Sequence, residues 1–317
     1  MTGYVIEKDG TAASADGQTI QQLLDKGELM WLDLYKPDAD ELGMLATVFG
    51  IHRLAIEDAA SFGQRPKLED YDDFTQLVAY GVEDAGASLV EVHFLYSERY
   101  LVTVRHGDCA AFAEGRSRLM HRAKPVNRLI LLHHILEELT DGFFPVLSSF
   151  DDRVDQLQDQ IFAKPTDEQL SELFDRKRWL IGVRKVITPQ RDMIASLVAG
   201  VNELPGMTRE IERYFRDLYD HLIRISDLVD SYRDLLTDSM DAYLSTVSNR
   251  LNVVMKQLAV IATIFLPLSF LTGFFGQNFA WMVRRLGGLG QFLVLGLGTE
   301  LAVVVAMLVM FRRRGWL

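Results

Sequence analysis

Apolar residues follow three different periods along the chain. In residues 1–125 they form short runs of strand character: MWLDL at 30–34, FTQLVAYGV at 74–82, SLVEVHFLYS at 88–97 and YLVTVRH at 100–106, the last two flanking Glu98-Arg99 as a hairpin. Asp38 to Phe49 and Arg53 to Ala60 carry helical spacing, so this part is predicted to be a small α/β domain. Residues 126–205 change to a helical period. The pattern predicts a helix from about Arg128 to Phe162 and a break at Lys164-Pro165. Thr166 then serves as N-cap, with Gln169 completing a capping box. The following helix is predicted to reach about Thr188 or beyond, with Pro189 as a kink point. Between Gly206 and Pro267 lie 60 residues with neither Gly nor Pro. Such a run predicts one helix of about 90 Å, longer than a globular domain requires, and its last part is already strongly apolar.

No residue from Gln257 to Val283 carries a formal charge, and Leu258 to Phe275 reads LAVIATIFLPLSFLTGFF. A second apolar run, Leu286 to Phe311, ends at Arg312, Arg313 and Arg314. Each is long enough for a hydrocarbon core that takes about 20 helical residues, so two spans joined by a short loop form a C-terminal hairpin. The expected division is an α/β domain at 1–125, a helical hairpin at 126–205, a stalk helix at 206–250, a first span at 251–275, an outer loop at 276–285, a second span at 286–311 and a basic tail at 312–317. Arg250 and Lys256 before the first span and the three arginines after the second place both ends in the cytoplasm, although Arg284 and Arg285 in the loop weigh the other way. The start, MTGYVIEKDG, has neither a basic nor an apolar leader region, which favours an inner-membrane protein with N- and C-termini inside.

Charge sharpens this division. The 317 residues carry a net charge of −11, with 33 basic and 44 acidic side chains. Six of the basic residues and one acid lie in 251–317, which leaves 27 against 43, or −16, in residues 1–250. Such a domain favours divalent cations as partners and excludes broad nucleic-acid binding, which needs clustered Lys and Arg. The one acid of the tail, Glu300, stands 12 residues before Arg312, about 18 Å into the second span. An intramembrane acid is a functional residue by default, the alternative being a protonated carboxyl bonded to a neighbouring helix.

Catalytic signatures are absent. Cys109 is the single cysteine, there is no P-loop or GxGxxG, and the seven histidines include no HExxH. His133 and His134 are adjacent on a predicted helix and are expected to point to different faces, so chelation of one ion by both is not expected. No nucleophile–base constellation supports an enzyme.

The run YLSTVSNRLNVVMKQLAVIATIFLPLSFLTGFFGQNF, the two terminal spans and the ending FRRRGWL resemble the CorA family of divalent-cation transport proteins. That family carries Gly-Met-Asn just after the first span; this chain has Gly276, Gln277 and Asn278 there. The similarity extends through YFRDLYDHLIRISDLVDSYRDLL and QRPKLEDYDDF. It implies a homopentameric channel with an αβα funnel domain (fold class α+β), a stalk helix continuing as the pore-lining span, and an outer ring of second spans. The implied ions are Mg2+ and Co2+, and a related zinc-transporting branch with another middle residue in the motif is the alternative; a non-conducting membrane-anchored cation sensor is a third.

On that reading Asn278 captures the ion beside the Gly276 carbonyl. At 100° per residue Asn252, Met255, Leu258, Ala262 and Leu266 fall within an arc of about 120° that would face the axis. Asn252 would supply a polar ring, and Met255, Leu258 and Leu266 apolar rings that gate by dewetting. Asp217 matches a stalk carboxylate that helps bind a regulatory cation, with Glu83 and Asp84 as expected partners. Gln277, Leu266, Glu300 and the paired Arg284 and Arg285 depart from the magnesium-transporting pattern.

Overall fold

The computed structural model describes residues 3–7, 12–14, 17–83, 88–113, 127–277, 279–285 and 287–316. It divides into two compact units, Met1–Gln160 with Thr166–Met240, and Ile161–Pro165 with Asp241–Leu317. The second unit thus begins some ten residues before the predicted boundary of the first span and takes in the Lys164-Pro165 break.

Unit one is built on seven strands: β1 (Gly3–Glu7), β2 (Ala12–Ser14), β3 (Leu29–Tyr35), β4 (Lys67–Tyr71), β5 (Phe74–Val82), β6 (Leu89–Tyr96) and β7 (Leu101–Arg105). Their order is β2-β1-β3-β7-β6-β5-β4, antiparallel except for the parallel pair β3–β7. Every residue of β5 is buried, which requires cover on both faces. One face packs against α1 (Gly17–Asp25), α2 (Ala39–Phe49) and α3 (Arg53–Ser61), where Leu32, Leu34, Leu45, Ala55, Phe74 and Val102 join one core. The other meets α4 (Arg128–Asp141), where Gly81 lies so close that a Cβ would stand 2.5 Å from Leu139 Cδ2. The helix α6 (Asp167–Val198) closes the sheet edge. β4 pairs with β5 only as far as Val78, and the buried Gln190 side chain takes over beyond it, accepting from Tyr80 N at 2.8 Å.

The strands and α2–α3 agree with the sequence pattern, and Asp38 caps α2 by accepting from Glu41 N at 2.8 Å. Four short elements, β1, β2, β4 and α1, were not among the predicted ones. The predicted Arg128–Phe162 helix is in fact two, α4 and α5 (Phe143–Ala163), separated at Gly142. The break at Lys164-Pro165 and the capping box stand as predicted, with Thr166 N donating to Gln169 Oε1 at 3.0 Å. α6 runs beyond Thr188, as the pattern allowed, and carries Pro189 inside it. The long helix, α7, runs from Arg209 to Phe275, 67 residues that include Pro267.

The outer loop is not plain loop: residues Ala280–Arg285 form a short helix, α8. The last helix, α9, spans Leu289–Arg313, three residues later than the predicted start of the second span, and contains a π-helical stretch at Phe292–Gly298.

Candidate functional site

α7 and α9 are both long and apolar enough to cross a membrane. In their most apolar 18-residue windows the chain itself buries only 6% and 0% of the residues. A core helix of a soluble protein would be covered by its own fold; these are not. Asn252, Met255, Leu258, Ala262 and Leu266 are all exposed on the single chain, Leu266 at 73%. Polar groups within the apolar stretch turn inward: Thr272 Oγ1 donates to the Leu268 and Ser269 carbonyls at 2.9 and 3.1 Å, as a hydroxyl without water must.

α7 ends at the motif. Gly276 N donates to Thr272 O at 2.8 Å and Gln277 N to Phe274 O at 3.3 Å. A Cβ on Gly276 would stand 2.9 Å from the Thr272 carbonyl oxygen, so the turn requires glycine. Gln277 is exposed, and Asn278 lies outside the described residues. Arg284 and Arg285 are exposed at the C-terminal end of α8, where cations suit the helix dipole.

The two ends of the hairpin meet. Lys256 Nζ, before the most apolar part of α7, donates to the Gly315 carbonyl beyond α9 at 3.0 Å. α7 and α9 thus form an antiparallel hairpin. Glu300 opens the α-helical turn directly after the π-helical stretch, half-buried, and makes no hydrogen bond or ion pair among the described residues.

In unit one, Asp217 lies exposed on α7. Glu83, also exposed, borders a cleft lined by Val82, Cys109, Glu138, Asp141 and Ser149, and Asp84 lies outside the described residues. The regulatory cation expected from these carboxylates would lie between neighbouring subunits and not within one chain. Within the chain, Asp217 bears on a histidine. Burial lowers the His133 pKa, against the opposing pull of Glu137, the Tyr214 carbonyl and Asp217. The expectation that His133 and His134 diverge is also corrected. Their rings meet edge to face with centroids 5.6 Å apart, and one ligand atom from each lies within 4.8 Å of a Glu137 carboxylate oxygen. Side chains one residue apart leave the helix in different directions. Both imidazoles nevertheless reach the carboxylate one turn on, at i+4 from His133 and i+3 from His134.

Comparison with known proteins gives these sites a family. The profile of the CorA-like Mg2+ transporter proteins matches residues 26–313. The chain belongs to the CorA family. The cobalt/magnesium transport protein CorA of Thermotoga maritima is 30% identical over 100% of this chain and 92% of its own length. The zinc transport protein ZntB of Yersinia enterocolitica is 26% identical over 78% of this chain and 76% of its own. The complete structure of the CorA magnesium transporter of Methanocaldococcus jannaschii superposes with a TM-score of 0.82 at 21% identity, covering 100% and 99% of the two chains. The CorA fold, with its α/β domain, long helix and C-terminal apolar helix, is therefore the fold of this chain. It is a membrane protein of a divalent-cation transporter family and not of an enzyme class.

The CorA resemblance was legible in the residues around α7. Glu137 was not, although the spacing HHxxE was a usable signal for three ligand-bearing side chains on one helix face.

Proposed function

We propose that this CorA protein forms a homopentamer that moves divalent cations, Mg2+ first and Co2+ with it, through a pore lined by α7. The observation that carries this reading is the pair of apolar helices left uncovered by their own chain, joined as a hairpin with Gly276-Gln277-Asn278 at its turn. Lipid on one side and other copies on the other would supply the missing cover.

The chemistry follows position. Mg2+ releases water reluctantly, so a ring of Asn278 amide oxygens with the Gly276 carbonyl would hold it still hydrated. Met255, Leu258 and Leu266 would form apolar constrictions that dewet when closed, with Ala262 between them and Asn252 as a polar ring nearer the basic-flanked end. Asp217 with Glu83 and Asp84 would gather a regulatory cation between neighbouring copies. Carboxylates suit a hard cation, and the exposure of Asp217 and Glu83 suits a bridge between chains. Copies at −16 each repel, and bound cations would offset that repulsion and hold the closed state. The membrane would be the inner one, with both termini in the cytoplasm.

A second reading has its own support. The similarity to a zinc transport protein, together with a Glu300 that has no partner among the described residues and stands beside a π-helical stretch, fits zinc movement linked to protons. Uptake of Mg2+, Co2+ and Zn2+ into liposomes, with and without a pH gradient, separates the two. Uptake of Mg2+ without gradient dependence supports the first reading. Zinc uptake driven by the gradient and lost in Glu300→Gln supports the second, and binding without flux overturns both. Asn278→Ala is expected to abolish uptake while leaving assembly, read by size-exclusion chromatography, intact. Wild-type uptake by this variant would remove Asn278 from the pathway.

A further inference from the structure

We propose that His133, His134 and Glu137 form a transition-metal site in the soluble unit, selective for imidazole-preferring cations such as Zn2+ or Co2+ over Mg2+. The three ligand atoms already lie within 4.8 Å of one another on α4. Around an ion with metal–nitrogen bonds of about 2.0 Å, tetrahedral ligands stand about 3.3 Å apart, so closure needs little more than side-chain rotation.

His133 is prepared for this role. Its ring is 2% exposed, and Nε2 lies 2.9 Å from the Tyr214 carbonyl. A carbonyl only accepts, so Nε2 carries the hydrogen and Nδ1 presents a bare lone pair. Among the described residues that Nδ1 is buried with no hydrogen-bond partner, as is Nε2 of His134. A histidine whose far nitrogen donates to a backbone carbonyl, with its near nitrogen unoccupied, has the arrangement of a metal ligand held in its working tautomer. The Tyr214 and Phe215 rings pack against the same imidazole at 5.6 and 5.3 Å, fixing its plane and limiting solvent.

His134 and Glu137 complete the set. His134 Nδ1 stands 3.4 Å from Glu137 Oε2, with side-chain exposures of 13% and 22%. This partial exposure gives the ion a route in. Two imidazoles and one carboxylate are a borderline-soft donor set; Mg2+ prefers an all-oxygen octahedron and gains little from it. The three ligands are distinct from Asp217, which acts on His133 only through its charge, and their binding of an ion is independent of any transport step. Through the Tyr214 carbonyl, an ion here would tie α4 to the first turns of α7.

Zn2+ and Co2+ binding to the full-length detergent-solubilised protein, in a large excess of Mg2+, is the test. Wild-type protein is expected to bind Co2+ with the visible absorption of a low-coordinate, nitrogen-ligated ion. His134→Gln and Glu137→Gln are each expected to weaken binding at least about tenfold at unchanged circular dichroism. X-ray absorption of the zinc-loaded wild type provides a readout free of any variant: imidazole scattering around the ion supports the site, and an all-oxygen shell overturns it. Unchanged affinity in both variants, or displacement of Zn2+ by Mg2+ at similar concentration, would also overturn it. None of these measurements depends on flux.

Discussion

Asp33 is the residue whose role is hardest to see in isolation. In MWLDL it looks like the outward-facing polar member of an alternating strand, yet it is 1% exposed. Arg105 Nε and Nη2 donate to its two oxygens at 3.1 and 2.9 Å, Thr103 Oγ1 donates at 2.8 Å, and Trp31 Nε1 donates to that Thr103 hydroxyl at 2.9 Å. The parallel register that sets Asp33 beside Thr103 and Tyr35 beside Arg105 brings these groups together across some 70 residues of chain. Period-two reading finds strands but not which strands are neighbours, so it could not find the pair. Asp33→Ala leaves a guanidinium 4% exposed and short of its main partner, a loss on the order of 3–5 kcal/mol. A large drop in thermal midpoint is expected, with much of it recovered in Asp33→Leu/Arg105→Met. If the single variant melts with wild type, the pair is not what holds β3 to β7. The transport residues behave differently at this scale. Gly276 was legible both as motif and as helix stop, whereas Asn278 and Asp84 rest on the sequence alone.

At the scale of elements, the α5–α6 hairpin was read correctly because its punctuation is local: Lys164-Pro165 cannot continue a helix, and Thr166 with Gln169 starts one. The break at Gly142 was missed because apolar spacing continues across it. What clamps the hairpin is a carboxylate between two arginines. Arg153 of α5 meets Glu172 of α6 in a two-pronged contact at 2.8 and 2.7 Å, and Arg176, one turn on, adds two more bonds at 3.1 and 2.9 Å. The hydrogen bond from Arg153 leads in holding the Glu172 pKa down to about 2 from 4.5, burial opposing and Arg176 assisting. A depressed folded pKa contributes stability that is complete above pH 4.5 and fades as pH falls towards 2. With the carboxylate 30% exposed, solvent screening reduces that contribution to about 1 kcal/mol. Glu172→Gln should therefore melt below wild type at neutral pH and with it near pH 2. A gap that persists unchanged into strong acid would assign the effect to packing.

For the whole molecule, the divided charge was the earliest legible feature and the one that organises the rest, an acidic α/β unit beside an apolar, basic-flanked hairpin. Oligomeric number was not legible from periodicity, because one chain's pattern says that α7 needs cover but not how many copies provide it. Arg284 and Arg285 are where the proposed assembly makes a demand that one chain does not. In a single copy they are two exposed cations at the end of α8. In a pentamer they become ten positive charges around the mouth of the pore, which lowers the local cation concentration by electrostatic exclusion. Screening acts over about 10 Å at 0.1 M salt and about 30 Å at 0.01 M, so the exclusion should be strongest in dilute buffer. Arg284→Glu/Arg285→Glu is therefore expected to raise the initial rate of Mg2+ uptake into liposomes several-fold at low ionic strength. The gain should shrink towards unity as an inert monovalent salt is added. A gain that ignores salt would mean that the substitutions act on the conformation of α8. No gain at all would mean that the arginines do not face the path of the ion.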